Sequence, residues 1–419
     1  MKMYRFPEKK IWKAVFVIYL FAMLLVARDT MITGAILSVE TATLVSLGLM
    51  ILGGLVFLAV NRKNLKAILL DRRMLAVAVS TVVILLPMLV KWDWQLMYFS
   101  VLMCLYFAIF LTYFVSLREV AKIFILIIAA LGVHSLLATY ILKPMVEAEL
   151  FQVPVIANSA NSNFYNFGLT FCFKRSWAYY RNFGLFREPG VYQFFIIVAL
   201  YLNNYTVSWD KAWKLWTVNG ILAVTMLSTF ATGGVIELGL LAVVVFIDRK
   251  LYKDKKIRLI SLALIGILLL IVVYAVIKQN MLYRFIREMV VKLFNFSPTS
   301  TGGVRFSAVI TDFILFVKNP IFGGKLAVVL HSVDHNSTST LLLYAVWGFL
   351  GGTLNVAAWV ALVWEKERKV WVNLALLLVL FMSFNTQNLI ADVFFWLFPM
   401  MALVERGLPL MKLRKREHE

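Results

Sequence analysis

Charge is scarce in this chain. Only 15% of its 419 residues are Asp, Glu, Lys or Arg, while 62% are hydrophobic. That balance excludes a soluble domain of this length and points to an all-α polytopic membrane protein. Cysteine is nearly absent. Cys104 and Cys172 are the only two, and both fall within or beside apolar stretches, which excludes a disulfide framework and a CxxC metal site. Histidine occurs four times, and no spacing of ligands around His331 or His335 argues for a metal. His134 lies inside an apolar run, where packing against a neighbouring helix is the default. No aromatic-basic RNA-binding motif is present, and no repeat divides the chain into two related halves.

Acidic residues are the other shortage: 22 against 42 Lys and Arg, for a net charge of +20. In so apolar a body the partners of that charge are membrane lipid headgroups and phosphate-bearing ligands rather than nucleic acid.

Windows of about 20 apolar residues predict twelve spans, near 11–27, 38–60, 75–92, 94–116, 119–141, 190–206, 212–230, 232–248, 258–278, 337–363, 370–386 and 390–405. The chain reads as one integral-membrane domain over 1–419. The N-terminus shows no small-residue cleavage site, so residues 11–27 are expected to be a retained first span. Most Lys and Arg then collect on one side, which predicts both termini to be cytoplasmic.

The remaining cations run against that bias. Lys143, Lys174, Arg175, Arg181 and Arg187 sit in a long outer loop over 142–189. Arg284, Arg287, Lys292, Arg305, Lys318 and Lys325 sit in a second over 279–336. Loops of this length usually carry function. LYRFIREMVVKLFNF has one apolar and one charged face and predicts a helix in the membrane interface. RFSAVITDFILFVKNP predicts a second short helix ending at Asn319 and Pro320, with Gly323 and Gly324 as the turn that follows. The first loop is rich in Asn, Ser and aromatics, a composition that suits sugars and equally an ordinary polar loop.

Three elements in these loops resemble those of bacterial O-antigen and capsular polysaccharide polymerases: RNFGLFREPG, VRFSAVITDFILFVKNPIFGGK and DHNSTSTLLLYAVWGFLGG. The resemblance implies membership of the O-antigen ligase and polymerase superfamily. It further implies a GT-C-like helical body without cofactor or metal, in the bacterial cytoplasmic membrane with its site on the outer face. Donor and acceptor would be undecaprenyl-diphosphate-linked oligosaccharides, and a chain-length regulator is a further expected partner. It departs from the ligases at LSTFATGGVIE, where many of those carry a Ser-Arg pair; here Thr232, Gly233 and Gly234 are expected to form a close-packed turn.

Guanidinium groups bind phosphate in bidentate fashion and stay charged at any relevant pH. Arg181 and Arg305, one from each loop, are therefore the expected leaving-group stabilisers; Arg187, which lacks a counterpart in the family element, is either a phosphate contact or a surface cation. Glu188, ahead of Pro189 and Gly190, is either the acid at a helix start or a base, and His335 is the alternative proton acceptor. Gly184, Asn319, Asn336 and the intramembrane acid Glu237 complete the expected substrate contacts. The reading that follows is an inverting polymerase. A ligase is the runner-up, and a twelve-span transporter of lipid-linked glycans is the rival from another class.

Overall fold

In the computed structural model, residues 10–407 are described except 61, 158–161, 175–179, 333–335 and most of 280–300. Most of the predicted interfacial helix over 282–296, together with Asp334 and His335, lies outside the described residues. The helices are α1 (Lys10–Leu25), α2 (Val39–Val60), α3 (Leu65–Leu69), α4 (Arg73–Lys91), α5 (Leu96–Leu111), α6 (Leu117–Leu137), α7 (Lys143–Glu147), α8 (Pro189–Tyr205), α9 (Ala212–Ser228), α10 (Thr232–Asp248) and α11 (Lys255–Lys278). They continue with α12 (Thr301–Lys318), α13 (Leu326–His331), α14 (Thr340–Val363), α15 (Val370–Phe384) and α16 (Val393–Ala402).

A helix occupies each interval expected to span. By length and composition three stretches among the described residues can cross a membrane: Arg73–Lys91, Leu117–Glu147 and Thr340–Val363. Shorter apolar helices stand beside them. The protein is thus an α-helical membrane protein. Nearly all of α8 is buried, from Pro189 to Asn204, because it is apolar all round and packs between α6, α9, α10 and α15.

The segment 337–363, expected as one span, is broken within its length. Gly348 leaves helical geometry at φ 64°, ψ −157°, and Thr340 Oγ1 meets Asn355 Oδ1 at 3.0 Å. In a straight helix those residues would stand about 22 Å apart, so residues 340–347 and 349–363 are two arms folded against each other. Small residues permit the fold-back: a Cβ on Gly352 would lie 2.3 Å from the Tyr344 ring, and one on Gly351 2.3 Å from Trp347 Cβ.

The turn after α12 sits on this bend. A Cβ on Gly348 would lie 2.2 Å from Ile321 O, and one on Gly323 (φ 70°) 2.3 Å from Val346 C. Breaking a helix exposes orphan backbone groups at both new ends. Here Phe349 N–H donates to Pro320 O at 2.7 Å and Gly324 N–H to Ala345 O at 2.7 Å. Lys91 Nζ donates to Gly324 O and Val346 O.

The first long loop carries structure its composition did not signal. Val155–Ala157, Asn163–Asn166 and Phe171–Phe173 form β1, β2 and β3, an antiparallel sheet in the order β1-β2-β3. Phe164 stacks on Phe173 at 4.3 Å, and Phe183 closes edge-on over Phe173 at 4.9 Å. These aromatics stabilise strands too short to show a period of two.

Candidate functional site

The EPG element starts a helix. Glu188 has extended backbone (φ −141°, ψ 145°) and Pro189 is the first helical residue, since its fixed φ suits that position and its missing N–H costs no bond there. Glu188 O accepts from Val191 and Tyr192 N–H, both at 3.2 Å, while its carboxylate makes no capping bond. That carboxylate is exposed and accepts a long contact of 3.5 Å from Gln387 Nε2, in the turn between α15 and α16. Glycine at 190 lets Gln387 approach: a Cβ there would lie 2.5 Å from its Nε2 and 3.9 Å from Arg305 Nη2.

Arg305, in the second turn of α12, therefore stands beside the start of α8. Burial lowers its pKa, while Glu188 and Glu237 oppose that shift as its acidic neighbours. Glu237 is fully buried in α10. Its Oε1 accepts from Gln193 Nε2 at 2.7 Å, and Oε2 has no hydrogen-bond partner among the described residues. Gly233 and Gly234, expected in a turn, are instead helical in the first turn of α10. They still pack closely, because a Cβ on either would lie 3.0 Å from the Gln193 side chain.

Three further expected members have other contacts. Arg181 Nε donates to Thr229 O at 3.0 Å, in the turn just ahead of α10. Arg187 forms an ion pair of 2.8 Å with Asp29, and its N–H donates to Asp29 O at 3.1 Å. Asp29 is buried, which raises its pKa, and Arg187 and Arg28 offset that rise. Asn319 is exposed at the end of α12, where its carbonyl accepts Gly323 N–H at 2.9 Å and so holds the turn against the bend of α14.

Gly184 is a conformational requirement rather than a contact: its φ is 55°, and a Cβ would lie 2.6 Å from the Tyr192 ring. Asn336 donates from Nδ2 to both oxygens of Asp312, at 2.9 and 3.1 Å. Thr338 Oγ1 donates to Asp312 Oδ2. Burial pushes the Asp312 carboxyl up to about 6 against these two donors. The cluster ties α12, and hence Arg305, to the start of α14. Ser339 continues the tie: its Oγ donates to Gln387 O at 2.6 Å, and Asn385 Oδ1 accepts the N–H of Thr340 at 3.1 Å.

The structure thus gathers Arg305, Glu188, Glu237 and Gly190, and adds Gln193, Gln387 and Asp312, which sequence reasoning missed. Gln193 carried a signal, being a polar side chain in an apolar helix; Gln387 and Asp312 acquire meaning only from distant partners. One guanidinium flanked by two carboxyls, at a helix N-terminus, can hold an anionic group, because its five donors can serve acid and phosphate together. The exposed carboxylate beside it can accept a proton. Among the described residues no group of His, Cys, Asp and Glu is placed to hold a metal ion. No protein family, curated protein or solved structure matches the chain.

Proposed function

We propose that this chain is a polysaccharide polymerase with twelve membrane-crossing segments and cytoplasmic termini, joining polyprenyl-diphosphate-linked repeat units on the outer face. The acceptor hydroxyl attacks the anomeric carbon of the donor sugar. The new C–O bond forms as the bond to the diphosphate breaks, and the electron pair leaves on the lipid diphosphate. A single displacement inverts the anomeric centre. Arg305 stabilises the negative charge that develops on the leaving group, an effect worth about 3 kcal/mol where a fixed donor is aimed at forming charge. Glu188, with His335 as the alternative, takes the hydroxyl proton. Arg181 supplies the second guanidinium, its plane fixed through Thr229.

The observation that carries this reading is the placement of Arg305, from the second long loop, beside Glu188, from the first. The NP and GG residues hold the end of α12, since Gly323 and Gly348 let the turn after it pack backbone to backbone on the bend of α14, while Gly190 leaves room for Arg305 at the start of α8.

The test uses purified protein in liposomes with lipid-linked repeat units. Longer glycans from the native chain, lost in Arg305→Ala and largely lost in Arg305→Lys, support the reading. Passage of the lipid-linked unit across the bilayer without new glycosidic bonds overturns it in favour of a transporter.

A further inference from the structure

Away from that site, α1, α2 and α5 leave a groove that no side chain fills. Its outer part is a cavity of about 160 Å³ lined by Arg28, Glu40, Leu47 and Met50, with Cys104 behind. Below lies a larger cavity of about 350 Å³, walled by Phe16, Tyr19, Phe107 and Phe110, and Met50 lines both. Along α2, from Glu40 to Val56, the two cavities extend about 24 Å at the helical rise, most of the roughly 30 Å depth of a bilayer core. The walls are apolar except at the outer end, so the groove has the polarity profile of a lipid.

Arg28 is half-buried and makes no hydrogen bond or close ion pair with any described residue. Its nearest charges are Asp29, Arg187 and Asp392, and Asp29 is already held by Arg187 at 2.8 Å. A guanidinium at an apolar cavity is costly without an anion to pair with. Glu40 lies on the same outer cavity, is exposed, and has one weak contact, from Ser38 Oγ at 3.4 Å. The charged side chains lining this cavity are thus one cation, Arg28, and one acid, Glu40. That balance disfavours a purely anionic headgroup and favours one that brings a phosphate and an ammonium together.

We propose that this groove binds one zwitterionic aminophospholipid. Its phosphate lies on Arg28, its ammonium on Glu40, and an acyl chain runs past Met50 to Phe110. A polyprenyl phosphate offers the tail but no cation for Glu40, and phosphatidylglycerol likewise. The site is separate from the Arg305 cluster and does not rest on the polymerase reading.

The experiment is native mass spectrometry of the full chain extracted from membranes containing phosphatidylethanolamine and phosphatidylglycerol, with each lipid then titrated into delipidated protein. One phosphatidylethanolamine retained per chain is expected. Arg28→Gln should weaken it about tenfold, the loss of one charge-assisted contact, and Glu40→Gln should remove the preference over phosphatidylglycerol. Because either variant could disturb folding, Leu47→Trp provides a second route: it fills the outer cavity and should expel the lipid from a chain that stays monodisperse. Equal retention of phosphatidylglycerol by the native chain overturns the proposal. So does retention of polyprenyl phosphate in its place, or unchanged binding in all three variants.

Discussion

Thr340 and Asn355 are hydrogen-bonded at 3.0 Å although 15 residues separate them on one helical element. This bond requires the chain to reverse at Gly348, where φ is 64°. A side chain there meets strained backbone and the Ile321 carbonyl together. Gly348→Ala is therefore expected to cost about 3 kcal/mol or more, from the conformation and the clash combined. Gly220→Ala and Gly239→Ala are the controls, since a Cβ at either meets nothing within 4 Å and alanine favours the helix. Thermal unfolding in detergent should separate the three, and a Gly348→Ala protein as stable as its controls would show the bend to be dispensable.

Asp312 gives a pH dependence with a definite sign. Burial raises its carboxyl from 3.8 to about 6, so between those values the folded protein binds more protons than the unfolded chain. Stability from this group is fully present below about pH 4 and is lost as pH rises through about 6. The shift corresponds to about 3 kcal/mol at 1.36 kcal/mol per pH unit. Asp312→Asn should flatten the fall in melting temperature between pH 4 and 6 while keeping a partner for Thr338. A native profile that rises over that range would contradict the assignment.

The start of α8 was legible in the sequence because its signals are local: an acid, a proline at the first helical position, then an unbroken apolar run. The end of α12 ahead of Asn319 and Pro320 was legible for the same reason. The reversal at Gly348 was not, because hydropathy counts apolar residues without recording direction. Nor was the Asp312 cluster, whose partners lie 24 and 26 residues away. Arg187 was legible as a loop cation, but its partner Asp29 lies in a different connection, between α1 and α2.

That pair makes its own prediction. Arg187 is 49% exposed on its side chain and Asp29 only 5%, so removing the arginine leaves a buried carboxylate with its counter-charge gone. Arg187→Ala should destabilise by about 2 kcal/mol, below the range for a fully buried pair because solvent screens the exposed partner. Adding Asp29→Asn should recover much of the loss. Product formed per folded molecule should stay near native. A strong loss of glycan product with an unchanged melting temperature would instead make Arg187 a substrate contact.

Arg181 and Arg305 can be tested for a shared target by a double-variant cycle. Arg181→Lys keeps the charge but loses the Nε–H that binds Thr229 O, and Arg305→Lys keeps the charge beside Glu188 and Glu237 but loses the planar fork. Each single change is expected to lower polymer formation about a hundredfold, the effect of losing one fixed donor to developing charge. If both guanidiniums hold one diphosphate, misplacing the first already forfeits part of what the second supplies, and the losses are not additive. The double variant should then fall well short of the product of the two single losses. Purely multiplicative losses would assign the arginines to separate groups on the substrate, with Arg305 alone at the departing phosphate.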